Sequence, residues 1–169
     1  MSQLVCTRAA KAGVKMGNVM VGRPKKPGGT KVTKKPALER ERHNYGSWTK
    51  GRFSEAVTVT GPGKMIFLAG IGAEHEDSGK ILYPGDFTRQ CRYAYRKLKK
   101  VLARNGASMA DVVKQVTYVT DTRYQKQAGE CRREAYGEAL PAHTFLNVSQ
   151  LAWPDMLVEL DVIAIVPLK

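Results

Sequence analysis

The stretch from Leu157 to Val166, LVELDVIAIV, constrains the fold more than any other part of the chain. It is aliphatic and β-branched, with a period of two. Successive strand residues point to opposite faces, so Val158, Leu160, Val162 and Ala164 share one face while Glu159, Asp161 and Ile163 share the other. The first set is smooth enough to meet a layer of helices. The second mixes carboxylates with Ile163 and Ile165, and a sheet face of that character is usually a subunit interface or a cleft beside one.

The rest of the chain supplies the layers. SEAVTVT and KMIFLAG flank GPG, which predicts a hairpin, and the loop IGAEHEDSGKILYPG follows. DFTRQCRYAYRKLKKVLARNG then reads as an amphipathic helix: Asp86 stands at a plausible N-cap, Phe87, Cys91, Ala94, Leu98, Val101 and Leu102 repeat at helical spacing, and Asn105-Gly106 stops it. ADVVKQVTYVTD is one β-branched strand, and a second helix runs from about Thr122 to Ala139 with Tyr124, Ala128, Cys131 and Ala135 along one stripe. HTFLNVSQ and LVELDVIAIV are the last two strands. The order β-β-α-β-α-β-β, with short links, predicts an α+β sandwich: one mixed sheet with both helices on one face. Alternation sends Thr144, Leu146 and Val148 one way and His143, Phe145 and Asn147 the other. The smoother apolar sets should meet the helices, which places His143 and Glu159 together on the helix-free face.

Charge divides the chain. Residues 1–50 hold 12 of the 28 Lys and Arg but only 2 of the 15 acidic residues, a net +10 against +3 for the remainder. GRPKKPGGTKVTKKP has no sustained apolar period, so residues 1–50 are expected to be a basic extension, flexible or packed on an interface, and 51–169 the single folded domain. The extension could serve as a solvated tail, a nucleic-acid arm or a mitochondrial presequence. No apolar run is long enough to span a membrane. Cys6, Cys91 and Cys131 form no CxxC pair, and His43, His75 and His143 are far apart, which reads as reduced thiols in a cytoplasmic protein without a metal site or a cofactor.

KMIFLAG, the helical Gln90, NGASMADVVKQVTYVTD, LPAHTFLNVSQLA and LVELDVIAIV together resemble the RidA/YjgF family of imine and enamine deaminases, also labelled endoribonuclease L-PSP, from about Phe53 to Pro167. The resemblance implies a chorismate-mutase-like homotrimer with three clefts between subunits, and a small-molecule imine or enamine as substrate. It implies a catalytic role for Glu159, which would position the attacking water; His143, the second candidate catalytic residue, stands where the family has a carboxylate-clamping arginine. It places Phe53, Gly70, Ile71 and Phe145 in the substrate cleft and aligns Ala128 with a family asparagine.

The substitution of His143 for arginine matters chemically. Arginine offers a planar, permanently charged fork, whereas histidine offers at most two divergent donors and is mostly neutral near pH 7. Imine hydrolysis needs only a proton for nitrogen and water at the C=N carbon, which one carboxyl group and one titratable partner can provide. Glu159, between Val158 and Leu160, is suited to the first role through a desolvated carboxyl group, and His143 to the second as proton shuttle. Two functions follow: a deaminase or related hydrolase acting on an imine, enamine or aminomuconate-like conjugated amine, or a non-catalytic ligand- or RNA-binding relative, ribonuclease-like activity included. The basic face of the first helix is a weak argument for nucleic acid, because no aromatic residues interleave with it.

Overall fold

Leu157–Val166 forms the interior of a four-stranded sheet. The computed structural model describes residues 37–168, so most of the basic extension lies outside the described residues. The elements are β1 (Glu39–His43), β2 (Ala56–Thr60), β3 (Gly63–Phe67), α1 (Phe87–Arg104), β4 (Val112–Val119), α2 (Gln125–Tyr136), β5 (Ala142–Asn147) and β6 (Val158–Pro167). Single 3₁₀ turns at Met109–Asp111 and Thr122–Tyr124 lead into β4 and α2.

The main sheet has the order β3-β6-β4-β5, with β6 antiparallel to both neighbours and β4 parallel to β5. It is therefore the expected mixed sheet. Parallel strands need crossovers, and α2 supplies the one between β4 and β5. Both helices cover the same face, since buried Gln115 of β4 donates from Nε2 to the Tyr95 hydroxyl of α1 at 2.8 Å and accepts at Oε1 from the Tyr136 hydroxyl of α2 at 2.6 Å. On that face Val158, Leu160, Val162 and Ala164 are fully buried against Phe87, Leu98 and Leu102 of α1, as the alternation predicts. Burying a Val or Leu side chain is worth about 1.5–3 kcal/mol, so this face of β6 dominates the core.

The helix signals hold in detail. Asp86 accepts from the Arg89 amide at 3.0 Å as N-cap, and Asn105 closes α1 before Gly106 turns with φ of 75°. Gln90 is buried for a different reason: Nε2 donates to the carbonyls of Tyr83 and Asp155, and Oε1 accepts from the Leu157 amide at 2.9 Å. One side chain thus ties two loops to α1 at the entrance of β6.

The expected hairpin is corrected. β2 pairs with β1 in a separate two-stranded sheet, whereas β3 pairs with β6, so the strands flanking Gly61-Pro62-Gly63 belong to different sheets. At Gly61, with φ of 97°, a Cβ would stand 2.4 Å from the Ala37 carbonyl oxygen. The chain entering β1 lies across the turn and takes the pairing edge of β2. The β1 sequence, ERERH, has no apolar alternation, and it falls in the stretch assigned from sequence to the extension.

Candidate functional site

The two residues expected to form one site lie on opposite faces of the sheet. His143 registers with Gln115, the residue that reaches up between the helices, and Phe145 registers with Thr117. Glu159 registers with Tyr118, one residue along β4 and hence on the other face. The expectation that His143 shares the helix-free face with Glu159 is therefore overturned. Its physical cause is the polar filling of the helix side: Gln115 and Thr117 are buried there, so the smoothness of a strand's apolar set does not identify its inner face at edge strand β5.

On the helix side, His143 belongs to a chain of buried hydrogen bonds. Gln115 Nε2 donates to Thr117 Oγ1 at 2.7 Å, Thr117 Oγ1 is 2.9 Å from His143 Nε2, and Arg132 Nη1 of α2 is 2.8 Å from His143 Nδ1. The guanidinium donates to the imidazole, its Nη1 lying 2.8 Å from Nδ1 and 3.1 Å from Nε2. Burial, followed by the charges of Arg132 and Lys114, depresses the His143 pKa to about 3. Near pH 7 the buried imidazole is neutral and accepts from Arg132.

Beside this group lies a cavity of about 570 Å³. Phe53 and Phe145, both expected in the cleft, line it together with His143 and Arg132. Phe53 stands 6.1 Å from the His143 ring, and Trp48 packs edge-on against Phe53 at 5.5 Å. Ser54 fixes this wall to the start of β5: its amide donates to the Pro141 carbonyl at 3.0 Å and its hydroxyl to the Leu140 carbonyl at 2.7 Å. Ala128 packs in the core, and the α2 face that lines the cavity carries Gln125, Gly129, Arg132 and Arg133 instead.

Glu159 occupies a separate cavity of about 460 Å³ with Gly70, Tyr118 and Asp161. Its pKa is raised, first by loss of hydration and then by Glu74 and Asp161. Gly70 is the residue that lets the carboxyl group sit there, because a Cβ on it would lie 2.2 Å from Glu159 Oε1. Ile71 does not line this cavity with its side chain. It is buried in the core, and its backbone exchanges hydrogen bonds of 2.9 Å with Leu160, which pins the loop carrying Gly70 to β6. The surrounding helix-free face carries Met65 (54% exposed) and Phe67 (69% exposed) on β3, in register with Ile165 and Ile163.

Sequence reasoning missed Arg132, Trp48 and Arg52. A signal for Arg132 was present: it stands four residues after Ala128 and four before Tyr136, within the buried stripe of a short helix. Among the described residues no cluster of three His, Cys, Asp or Glu side chains could hold a metal ion, and no helix is long and apolar enough to cross a membrane.

Comparison with known proteins gives a consistent set of relatives. The family model described as endoribonuclease L-PSP matches residues 47–166. A RutC family protein of Pyrococcus abyssi is 34% identical over 114 residues, covering 68% of this chain and 86% of the relative. Among solved structures, a Rid family protein of unknown function from Yersinia pestis superposes with a TM-score of 0.65 at 29% identity, covering 75% of this chain and 98% of that one. A member of the YjgF/YER057c/UK114 family from Mycobacterium tuberculosis gives a TM-score of 0.53 at 29% identity, over 76% and 100% of the two chains.

Proposed function

The chain belongs to the endoribonuclease L-PSP family, the RidA/YjgF group, and on that premise we propose that it hydrolyses the C=N bond of an imine or enamine, or of an aminomuconate-like conjugated amine, releasing ammonia. The observation that carries the reading is the environment of Glu159. Its carboxyl group is partly buried in a cavity, pressed against Gly70, and has an elevated pKa.

A carboxylate so placed accepts a proton from water as the oxygen adds to the C=N carbon. An enamine first takes a proton at carbon and enters as the imine. Once the nitrogen of the tetrahedral adduct is protonated, its C–N bond breaks, ammonia leaves and the carbonyl forms. The balance is imine plus water to carbonyl compound plus ammonia, and the glutamate ends as it began. A carboxyl group with a raised pKa is the stronger base for taking the proton from water, and the same group returns it to nitrogen.

The two cavities open on opposite faces of one sheet. A site using both Glu159 and the Arg132–His143 pair therefore takes one from each of two copies, and the exposed Met65 and Phe67 on the helix-free face support a homotrimer as the working assembly. A second reading, ribonuclease-like or RNA-binding, is favoured by one feature: Arg52, Lys126 and Arg133 lie beside Trp48.

The test is an oxidase-coupled assay in which amino acids are converted to 2-imino acids and the release of ammonia is followed. Catalysis above the spontaneous rate supports hydrolysis. Absence of any acceleration across imines and enamines, with specific binding or cleavage of single-stranded RNA, would establish the second reading instead.

A further inference from the structure

We propose that Arg132, delivered from α2, is the anion anchor of the cavity beside β5, and that this cavity selects ligands carrying a carboxylate next to a planar ring. The inference names the ligand class and a specificity-determining residue for the proposed hydrolase site, and so rests on that reading for its catalytic meaning.

The first observation is a charge without a counter-charge. Arg132 is 7% exposed, and no carboxylate lies within ion-pair distance of it among the described residues. Its hydrogen-bond acceptors are neutral: the imidazole of His143 and, from Nη2 at 3.0 Å, the carbonyl of Arg52. Its Nε has no partner among the described residues. A buried guanidinium stays protonated, and leaving it unpaired is costly. Arg40, by contrast, meets the Asp111 carboxylate at 2.7 Å.

The second observation is the cavity itself. Arg52, Lys126 and Arg133 add positive charge around Arg132, against one acidic residue, Glu130. This surplus favours a negative ligand electrostatically. Trp48, Phe53 and Phe145 supply apolar and aromatic walls, the ordinary setting for a flat hydrocarbon body held by one polar anchor. His143 has a clear part in this arrangement. Locked by Thr117 and held neutral, it accepts from Nη1 and fixes the direction of the guanidinium without cancelling its charge. His143 is a positioning residue for Arg132.

The test uses the full chain and ligand-observed fluorine NMR, without turnover. The probes are 4-fluorophenylacetate and its uncharged counterpart 4-fluorophenylacetamide, with acetate as a competitor lacking the ring. The acid should bind saturably and about 10- to 100-fold more tightly than the amide, the range expected for one charge-assisted anchor. Acetate should displace it poorly. Arg132→Gln should lower affinity for the acid toward that of the amide, while Arg104→Gln, exposed at the end of α1 and outside the cavity, changes it less than about threefold.

Equal affinity for acid and amide, no saturable binding of the acid, or wild-type affinity in a folded Arg132→Gln protein would each overturn the proposal. If Arg132→Gln does not fold, the acid and amide comparison on the wild-type protein decides alone. Anion binding in a protein that hydrolyses no imine would sink the hydrolase reading and leave the anchor standing. Hydrolysis with no preference for charged ligands would do the reverse.

Discussion

Arg132 Nη1 stands 2.8 Å from Nδ1 of His143, joining α2 to β5 through a charged donor and a neutral acceptor. The other ring nitrogen faces Thr117, whose hydroxyl is bound to Gln115 and through it to Tyr95 and Tyr136. The pair is thus the outer end of a buried polar chain that runs through the middle of the helix layer. Its properties govern both stability and ligand recognition on this side of the sheet.

The first consequence is a pH dependence. The folded-state pKa of His143 is depressed to about 3 from an ordinary value near 6.5. Below about pH 6.5 the unfolded chain therefore binds a proton that the folded chain refuses. Stability contributed here is present above that value and is lost as the pH falls toward 3. Urea titrations at pH 7 and pH 5 should show the wild type losing about 1–2 kcal/mol more than His143→Gln. Identical losses would mean that His143 is solvated or already charged.

Gln115 makes a sharper test of the network. Gln115→Leu keeps the volume but leaves the Tyr95 and Tyr136 hydroxyls and Thr117 short of partners. Each unsatisfied buried group costs about 1–3 kcal/mol, so the variant should lose at least about 2 kcal/mol in urea denaturation. A loss under about 0.5 kcal/mol would show that these groups find other partners.

Gly70→Ala probes the opposite face. The new methyl group would collide with the Glu159 carboxyl group, which must then swing away from the place it now occupies. Imine hydrolysis should fall by at least about tenfold with the secondary structure unchanged, since catalytic groups tolerate little displacement. Full activity would show that the position of this carboxylate is not critical.

Much of the fold was legible in the sequence, and the reasons are local. Asp86, the apolar spacing of α1 and Asn105-Gly106 act within one helix, and β6 carries its own alternation. What could not be read depended on distant partners. β1 is a strand because β2 offers it an edge, and nothing in ERERH announces that. The inner face of β5 is set by register with β4, whose buried side presents the polar Gln115 and Thr117. Glu159 and Gly70 share one cavity, whereas Arg132 was hidden beside Lys126 and Arg133 in a short helix. Only its burial separates it from its exposed neighbour Arg133.

The helix-free face predicts assembly. Met65 and Phe67 are exposed beside Ile163 and Ile165, so Phe67→Asp should convert a trimer of about three times 18.7 kDa into smaller species in light scattering. A wild-type protein that stays at monomer mass at micromolar concentration would remove the shared-site arrangement.

The measurement that bears most directly on the proposed chemistry is ammonia release by Glu159→Gln in the oxidase-coupled assay, alongside light scattering of the same preparation. The amide keeps the shape of the side chain but cannot carry the proton. The predicted result is a loss of at least about 100-fold in the rate of imine hydrolysis with the wild-type assembly retained, the usual effect of removing a general acid–base group. A Glu159→Gln protein that hydrolyses the imine as fast as the wild type would contradict the account.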